Sequence, residues 1–175
     1  MMPALFATGS NTLRHLGLLA VSVGLLLCAG PLRADGSMSF TLHLKDSGPV
    51  QVSLADLEDM PLTDFVTSTV WTEGVDHYSG ILLRDLLLHH GIRPDSGPGR
   101  VDLVAIDGYS ATIEFAQITE RAPMLAFLRN GAPMPLRNQG PFWLIFPYDD
   151  TPAFRTESIY ALSVWQVQTV SVIQP

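Results

Sequence analysis

The sequence has almost no cysteine: its 175 residues hold one, Cys28. A single thiol forms no disulfide within a chain and builds no multi-thiolate metal centre. Positive charge is also scarce, with 10 Lys and Arg against 17 Asp and Glu and a net charge of −7. A chain of that sign is a poor partner for phosphate backbones and anionic bilayers, so no nucleic-acid partner is expected. No apolar run reaches the roughly 20 residues a membrane-spanning helix needs. No Gly-x-Ser-x-Gly elbow occurs, so nucleophilic catalysis leaves no signature. His43 and His77 are isolated, and His89-His90 are adjacent. On a helix two adjacent side chains diverge by about 100° and do not clamp one ion, so no metal ligand is assigned.

What the chain does have begins at its N-terminus. Arg14 and His15 precede an apolar run from Leu16 to Leu27, then Cys28-Ala29-Gly30-Pro31 and Leu32-Arg33-Ala34-Asp35. A run of about 12 residues after a weakly positive stretch is the pattern of a cleavable secretory signal. Pro31 disfavours a cut after Gly30, so residues 1–34 are expected to be removed after Ala34. Two alternatives are a retained anchor and a lipid-bearing Cys28, although Leu27 stands where a lipidation site wants a small residue. Residues 35–175 are then one ordinary domain, periplasmic or secreted, with no cysteine and no membrane span of its own. Loss of Arg14 and Arg33 makes it still more acidic.

No internal repeat or low-complexity linker interrupts that domain. Phe40, Leu42 and Leu44 alternate with polar residues, which predicts a strand over 39–45. Val50 to Ser53 predicts a second strand. Ser53 and Asp56 have capping-box spacing before a short helix that Pro61 ends. The β-branched stretch from Phe65 to Thr72 predicts a strand. Gly80 to Gly91 predicts a helix, capped by Ser79 and closed by Gly91. Asp107-Gly108-Tyr109 predicts a hairpin turn between strands over 101–106 and 110–115. Further strands are expected over 124–129, 142–146 and 165–173. Many short strands with few helices imply a compact α+β domain that is mostly β.

Two features outside this framework are candidates for chemistry. Asp149-Asp150 follow a buried strand, where sites often lie, but before Pro152 they read as a solvated turn. The aromatic residues Trp71, Tyr78, Tyr109, Trp143, Tyr148 and Trp165 suit pocket lining, and core packing also accounts for most of them.

Several motifs recur in an order that resembles the sulfite-oxidase fold of the molybdopterin-binding oxidoreductase family. They are the run from Tyr78 to Leu87, Asp107-Gly108-Tyr109, Met124-Leu125-Ala126, Asn130-Gly131-Ala132-Pro133-Met134, the run from Gly140 to Pro147, and Ser163-Val164-Trp165. The chain looks most similar to short exported members that lack the molybdenum-ligating cysteine. Family enzymes hold the metal through a cysteine at a set distance before the helix-opening glycine. Counting back from Gly80 reaches Ser68, with Thr67, Thr69 and Val70 beside it, and none is a thiol. A serine hydroxyl is far less acidic than a thiol and is a weak substitute. A His-Gly-Gly-Pro stretch followed by arginine is here Asn138-Gln139-Gly140-Pro141 with Trp143 at the arginine position. A lysine before the last tryptophan is here Val164. Arg121, Arg129, Arg137 and Arg155 remain, either for a smaller anion or as plain surface charge.

The resemblance therefore implies a redox enzyme's scaffold without molybdenum and without assigned catalytic residues. The expected role is an accessory or sensory module that binds a small ligand or a periplasmic or membrane protein partner. The ligand-binding candidates are Ser68, Thr69, Trp71, Tyr109, Trp143 and Tyr148. The alternative is a periplasmic molybdopterin-dependent oxidoreductase with an atypical metal ligand. A plain interaction protein is a third reading, which an exposed apolar patch favours.

Overall fold

A computed structural model describes residues 38–45 and 47–175. The expected signal over 1–34 and its cleavage site lie outside the described residues.

Among the described residues, ten short strands form two five-stranded sheets. The first contains β1 (Ser39–His43), β2 (Val50–Ser53), β5 (Arg100–Ala105), β6 (Ser110–Glu114) and β10 (Val167–Ile173), in the order β2-β1-β10-β5-β6. Only β1 and β10 run parallel; Leu42 lies opposite Val170. The second contains β3 (Thr63–Ser68), β4 (Val75–Leu82), β7 (Met124–Arg129), β8 (Ala132–Pro133) and β9 (Trp143–Ile145). Its order is β3-β4-β7-β8, with β9 also paired to β7, and it is antiparallel throughout. The α-helices among the described residues join them: α1 (Leu54–Glu58), α2 (Leu83–His89) and α3 (Glu157–Leu162).

The period-2 alternation of strands gives the second sheet two apolar faces. On β7, Leu125 and Phe127 join a core with Phe40, Leu42, Leu103 and Val170 of the first sheet and with Leu83, Leu86 and Leu87 of α2. Met124 and Ala126 point the other way. They meet Tyr78, Trp143, Ile145 and Tyr148 in a second core, against which Trp71, Tyr160 and Trp165 pack. The second core lies next to the candidate site.

Most expected elements are present, including the Ser53–Asp56 capping box. The Asp56 N–H donates to Ser53 Oγ at 3.3 Å, and the Ser53 N–H donates to the Asp56 carboxylate at 2.8 Å. The expected helix over 80–91 is corrected. Gly80 to Leu82 finish β4, and the helix starts at Leu83. Ser79 does not cap it; its hydroxyl donates to Asp64 at 2.6 Å across the β3–β4 pair. Gly80 is required by the sheet rather than by a helix start. A Cβ there would lie 2.1 Å from the Leu125 carbonyl oxygen and 2.6 Å from Ala126 Cα. Gly91, at φ 76°, does follow the helix as its left-handed terminator. The strand expected to reach Thr72 stops at Ser68, because residues 69–74 turn the chain into β4. The last strand begins at Val167 rather than Trp165.

Candidate functional site

The turn after β3 is held by hydroxyls. Thr69 Oγ1 accepts the Trp71 N–H at 3.1 Å and lies 2.8 Å from Thr72 Oγ1, which lies 3.4 Å from the Tyr78 hydroxyl. Gly74 at φ 73° completes the reversal. This turn lays Trp71 across the second core. Its ring meets four others at steep angles: Trp143 at 5.7 Å, Tyr148 at 6.2 Å, Tyr160 at 5.7 Å and Trp165 at 5.7 Å between centroids. These are edge-to-face contacts, the arrangement aromatic quadrupoles favour.

Beside Trp71 opens a cleft of about 200 Å³, lined by Trp71, Asp107, Tyr109, Tyr160, Ser163 and Trp165. Three segments build its walls. The β5–β6 hairpin supplies Asp107 and Tyr109. Gly108 at φ 86° makes that turn, and the Asp107 carboxylate accepts the Tyr109 N–H at 2.9 Å. α3 supplies Tyr160; Thr156 caps the helix, its Oγ1 accepting the Ile159 N–H at 3.4 Å. The Tyr109 hydroxyl donates to the Ala161 carbonyl at 2.7 Å, which ties the hairpin to the helix. Trp165 comes from the approach to β10. Gln166 at φ 52° kinks the backbone there, and its side-chain amide donates to the Leu136 carbonyl at 2.6 Å.

Of the six expected site residues, Trp71 and Tyr109 line this cleft. Trp143 and Tyr148 lie in the core under Trp71, 0% and 1% exposed. Their polar ends are satisfied there. The Trp143 indole N–H donates to the Ser163 carbonyl at 3.3 Å, and the Tyr148 hydroxyl is 2.7 Å from Ser163 Oγ. Burial pushes the Tyr148 phenol far above its ordinary value of 10.0, because desolvation penalises the phenolate. Ser68 and Thr69 stand outside the lining. Thr69 builds the turn that presents Trp71, and Ser68 faces Asp149. The cleft also uses Asp107, Tyr160 and Ser163, which the sequence reading passed over as site residues. Around Tyr160 the sequence carries little beyond an N-cap residue type at Thr156, too common to single out a site.

Asp149 and Asp150 lie in an exposed turn, as expected, but the Asp149 carboxylate is bonded to the rest of the fold. Its carboxylate accepts the Ser68 N–H at 2.6 Å, the Ser68 hydroxyl at 2.8 Å and an Arg155 N–H at 2.5 Å. The Asp149 N–H in turn donates to Thr67 Oγ1 at 3.0 Å. The Ser68 backbone N–H, then its hydroxyl and Arg155, hold the Asp149 carboxyl below its ordinary pKa. Asp150 is exposed and pairs with Arg121 at 3.2 Å.

These contacts bear on whether a molybdopterin fits the residues around Ser68. Among the described residues no thiolate lies near, and both Ser68 donors are committed to a carboxylate. Three of the four remaining arginines are matched to acids: Arg121 to Asp150, Arg129 to Asp76 and Arg155 to Asp149. Arg137 is exposed and has no ion-pair partner among the described residues. An anionic pyrophosphate would meet Asp149 rather than unmatched cations, so this donor set does not fit the cofactor. Among the described residues no three His, Cys, Asp or Glu side chains cluster in a metal-binding arrangement. No helix among them is long and apolar enough to cross a membrane.

No family model matches this chain, and no curated protein matches it by sequence. Among solved structures it is similar to the crystal structure of the sulfane dehydrogenase SoxCD from Paracoccus pantotrophus. The likeness has a TM-score of 0.57 and 17% sequence identity, and covers 79% of this chain and 38% of that one. At that identity it shows the fold alone: a compact, mostly β α+β domain of the sulfite-oxidase type. The chain spans well under half of the chain it matches.

Proposed function

We propose that this chain is an exported, non-catalytic binding module on a sulfite-oxidase-type scaffold. It takes a small ligand in the cleft of Trp71, Tyr109, Tyr160 and Trp165 and acts as an accessory or sensory domain for a periplasmic or membrane protein. The observation that carries this reading is the Ser68–Asp149 pairing. It puts a carboxylate against the residue that the ordered motifs align with a metal-ligating thiolate. A concave, largely aromatic cleft with a few polar groups is the usual character of a small-ligand site.

Two measurements test the reading. The protein is purified from the periplasmic fraction of a molybdenum-replete host, and its intact mass, molybdenum content and pterin fluorescence are determined. A chain cut after Ala34 and free of molybdenum is expected. Stoichiometric molybdenum overturns the non-catalytic reading in favour of an oxidoreductase with an atypical ligand. The folded protein is then titrated with the low-molecular-weight fraction of a periplasmic extract while tryptophan emission is followed. Its three tryptophans all belong to the cleft or the core beneath it, so emission reports on the site. Saturable quenching that Trp165→Ala abolishes is expected, and no response overturns the cleft as a ligand site.

A further inference from the structure

From the make-up of the cleft we infer that its ligand is an organic cation carrying a quaternary or methylated ammonium group. The inference rests on the reading of the cleft as a ligand site. Four of the six lining side chains are aromatic. The Trp71 ring stands at 84° to Tyr160 and 82° to Trp165, each with centroids 5.7 Å away. Steeply inclined rings make a corner rather than a flat stack. A corner offers π faces to a rounded cation from more than one side, whereas a flat ligand needs parallel walls. The ring quadrupole attracts positive charge, most strongly for tryptophan.

Charge points the same way. Asp107 is the one ionisable carboxylate in the lining, and no Lys or Arg lines the cleft. One Asp107 oxygen accepts the Tyr109 N–H, and the side chain has no ion-pair partner among the described residues. That contrasts with Asp76, Asp149 and Asp150, each of which is matched to an arginine. A net charge of −7 also favours arrival of a cation over an anion. The cleft, about 200 Å³, suits a trimethylammonium head on a short chain. The methylated head sheds water cheaply, so the rings recover attraction without a large desolvation cost.

Choline and its uncharged isostere 3,3-dimethylbutanol separate charge from shape. Tryptophan emission of the protein purified from the periplasmic fraction is titrated with each. Choline is expected to bind about tenfold more tightly than the isostere, with affinity falling as salt rises. Asp107→Asn keeps the acceptor for the Tyr109 N–H and so keeps the turn; it is expected to weaken choline about fivefold and leave the isostere unchanged. Equal affinities, or no choline response, overturn the cation assignment. If the extract fraction still quenches in that case, the ligand-site reading stands without it. If the extract also fails, both fall. The same head group exists free and on lipids. Displacement of choline by phosphatidylcholine vesicles assigns the lipid source, and no displacement assigns a soluble one; either outcome supports the ammonium site.

Discussion

Replacing Asp76 by asparagine should loosen the cleft from beneath while leaving the shape of the core intact. Asp76 is 8% exposed and sits on the inward face of β4. Its carboxylate accepts Arg129 Nε at 2.9 Å, Arg129 Nη2 at 2.5 Å, Asn130 Nδ2 at 2.7 Å and the Tyr78 hydroxyl at 3.4 Å. Burial by itself raises its pKa, but the Arg129 and Asn130 donors outweigh burial and hold it below the ordinary 3.8. Removing one partner of a fully buried ion pair costs about 3–5 kcal/mol, and an exposed pair is worth about 0–1 kcal/mol. The Arg129 side chain is 27% exposed and asparagine still accepts one or two of these bonds. Asp76→Asn should therefore cost about 2 kcal/mol at neutral pH, or a fall of about 7 °C in Tm for a domain of this size. Since the folded pKa is depressed, the charge stabilises above 3.8, and that contribution is lost as pH falls through the lower folded value. The gap between wild type and Asp76→Asn in urea denaturation should thus narrow in acid. Tyr78 links this network to Thr72, and Thr72 to the Trp71 turn. Tryptophan emission should shift to the red in the variant before any unfolding. A cost below about 1 kcal/mol, or a gap that does not change with pH, refutes the argument.

Two further substitutions test the core around the site. Gly80→Ala places a Cβ 2.1 Å from the Leu125 carbonyl oxygen, and a neighbouring strand's backbone cannot swing aside as a side chain can. Overpacking there should cost more than about 3 kcal/mol and depress Tm; an unchanged Tm refutes the close approach of β4 and β7. Tyr148→Phe removes the hydroxyl that meets Ser163 Oγ, which keeps its bond to the Ile159 carbonyl, so a loss of about 1 kcal/mol is expected. Burial raises the Tyr148 pKa, so the neutral phenol stabilises the fold below 10.0 and that stability is lost as pH rises beyond it. Alkaline absorbance titration of the wild type should show two tyrosines, the buried Tyr78 and Tyr148, ionising only with unfolding, and Tyr148→Phe should reduce that phase to one; titration of Tyr148 in the folded protein refutes its burial.

The hairpin at Asp107-Gly108, the capping box at Ser53–Asp56 and the terminator Gly91 were legible in sequence because each depends on neighbours a few residues away. The mostly β α+β class was legible for a related reason, since alternation marks a strand with one apolar face. β4 escaped because its inward face carries Asp76, Tyr78 and Gly80, and the polarity of Asp76 disguises the alternation until Arg129 is seen to neutralise it. Gly80 looked like a helix start, but its glycine requirement comes from Leu125 on another strand, 45 residues away. Tertiary structure alone separated the six candidates. Trp71 and Tyr109 reach a cleft, Trp143 and Tyr148 support it from below, and Ser68 is bonded to Asp149 across a separation of 81 residues. α3 is a short helix with few local marks, so Tyr160 and the wall it forms follow from packing. Local chemistry decided where the chain turns and which residues are apolar. Which polar groups cancel one another, and which aromatic faces stay open, was settled by long-range pairing.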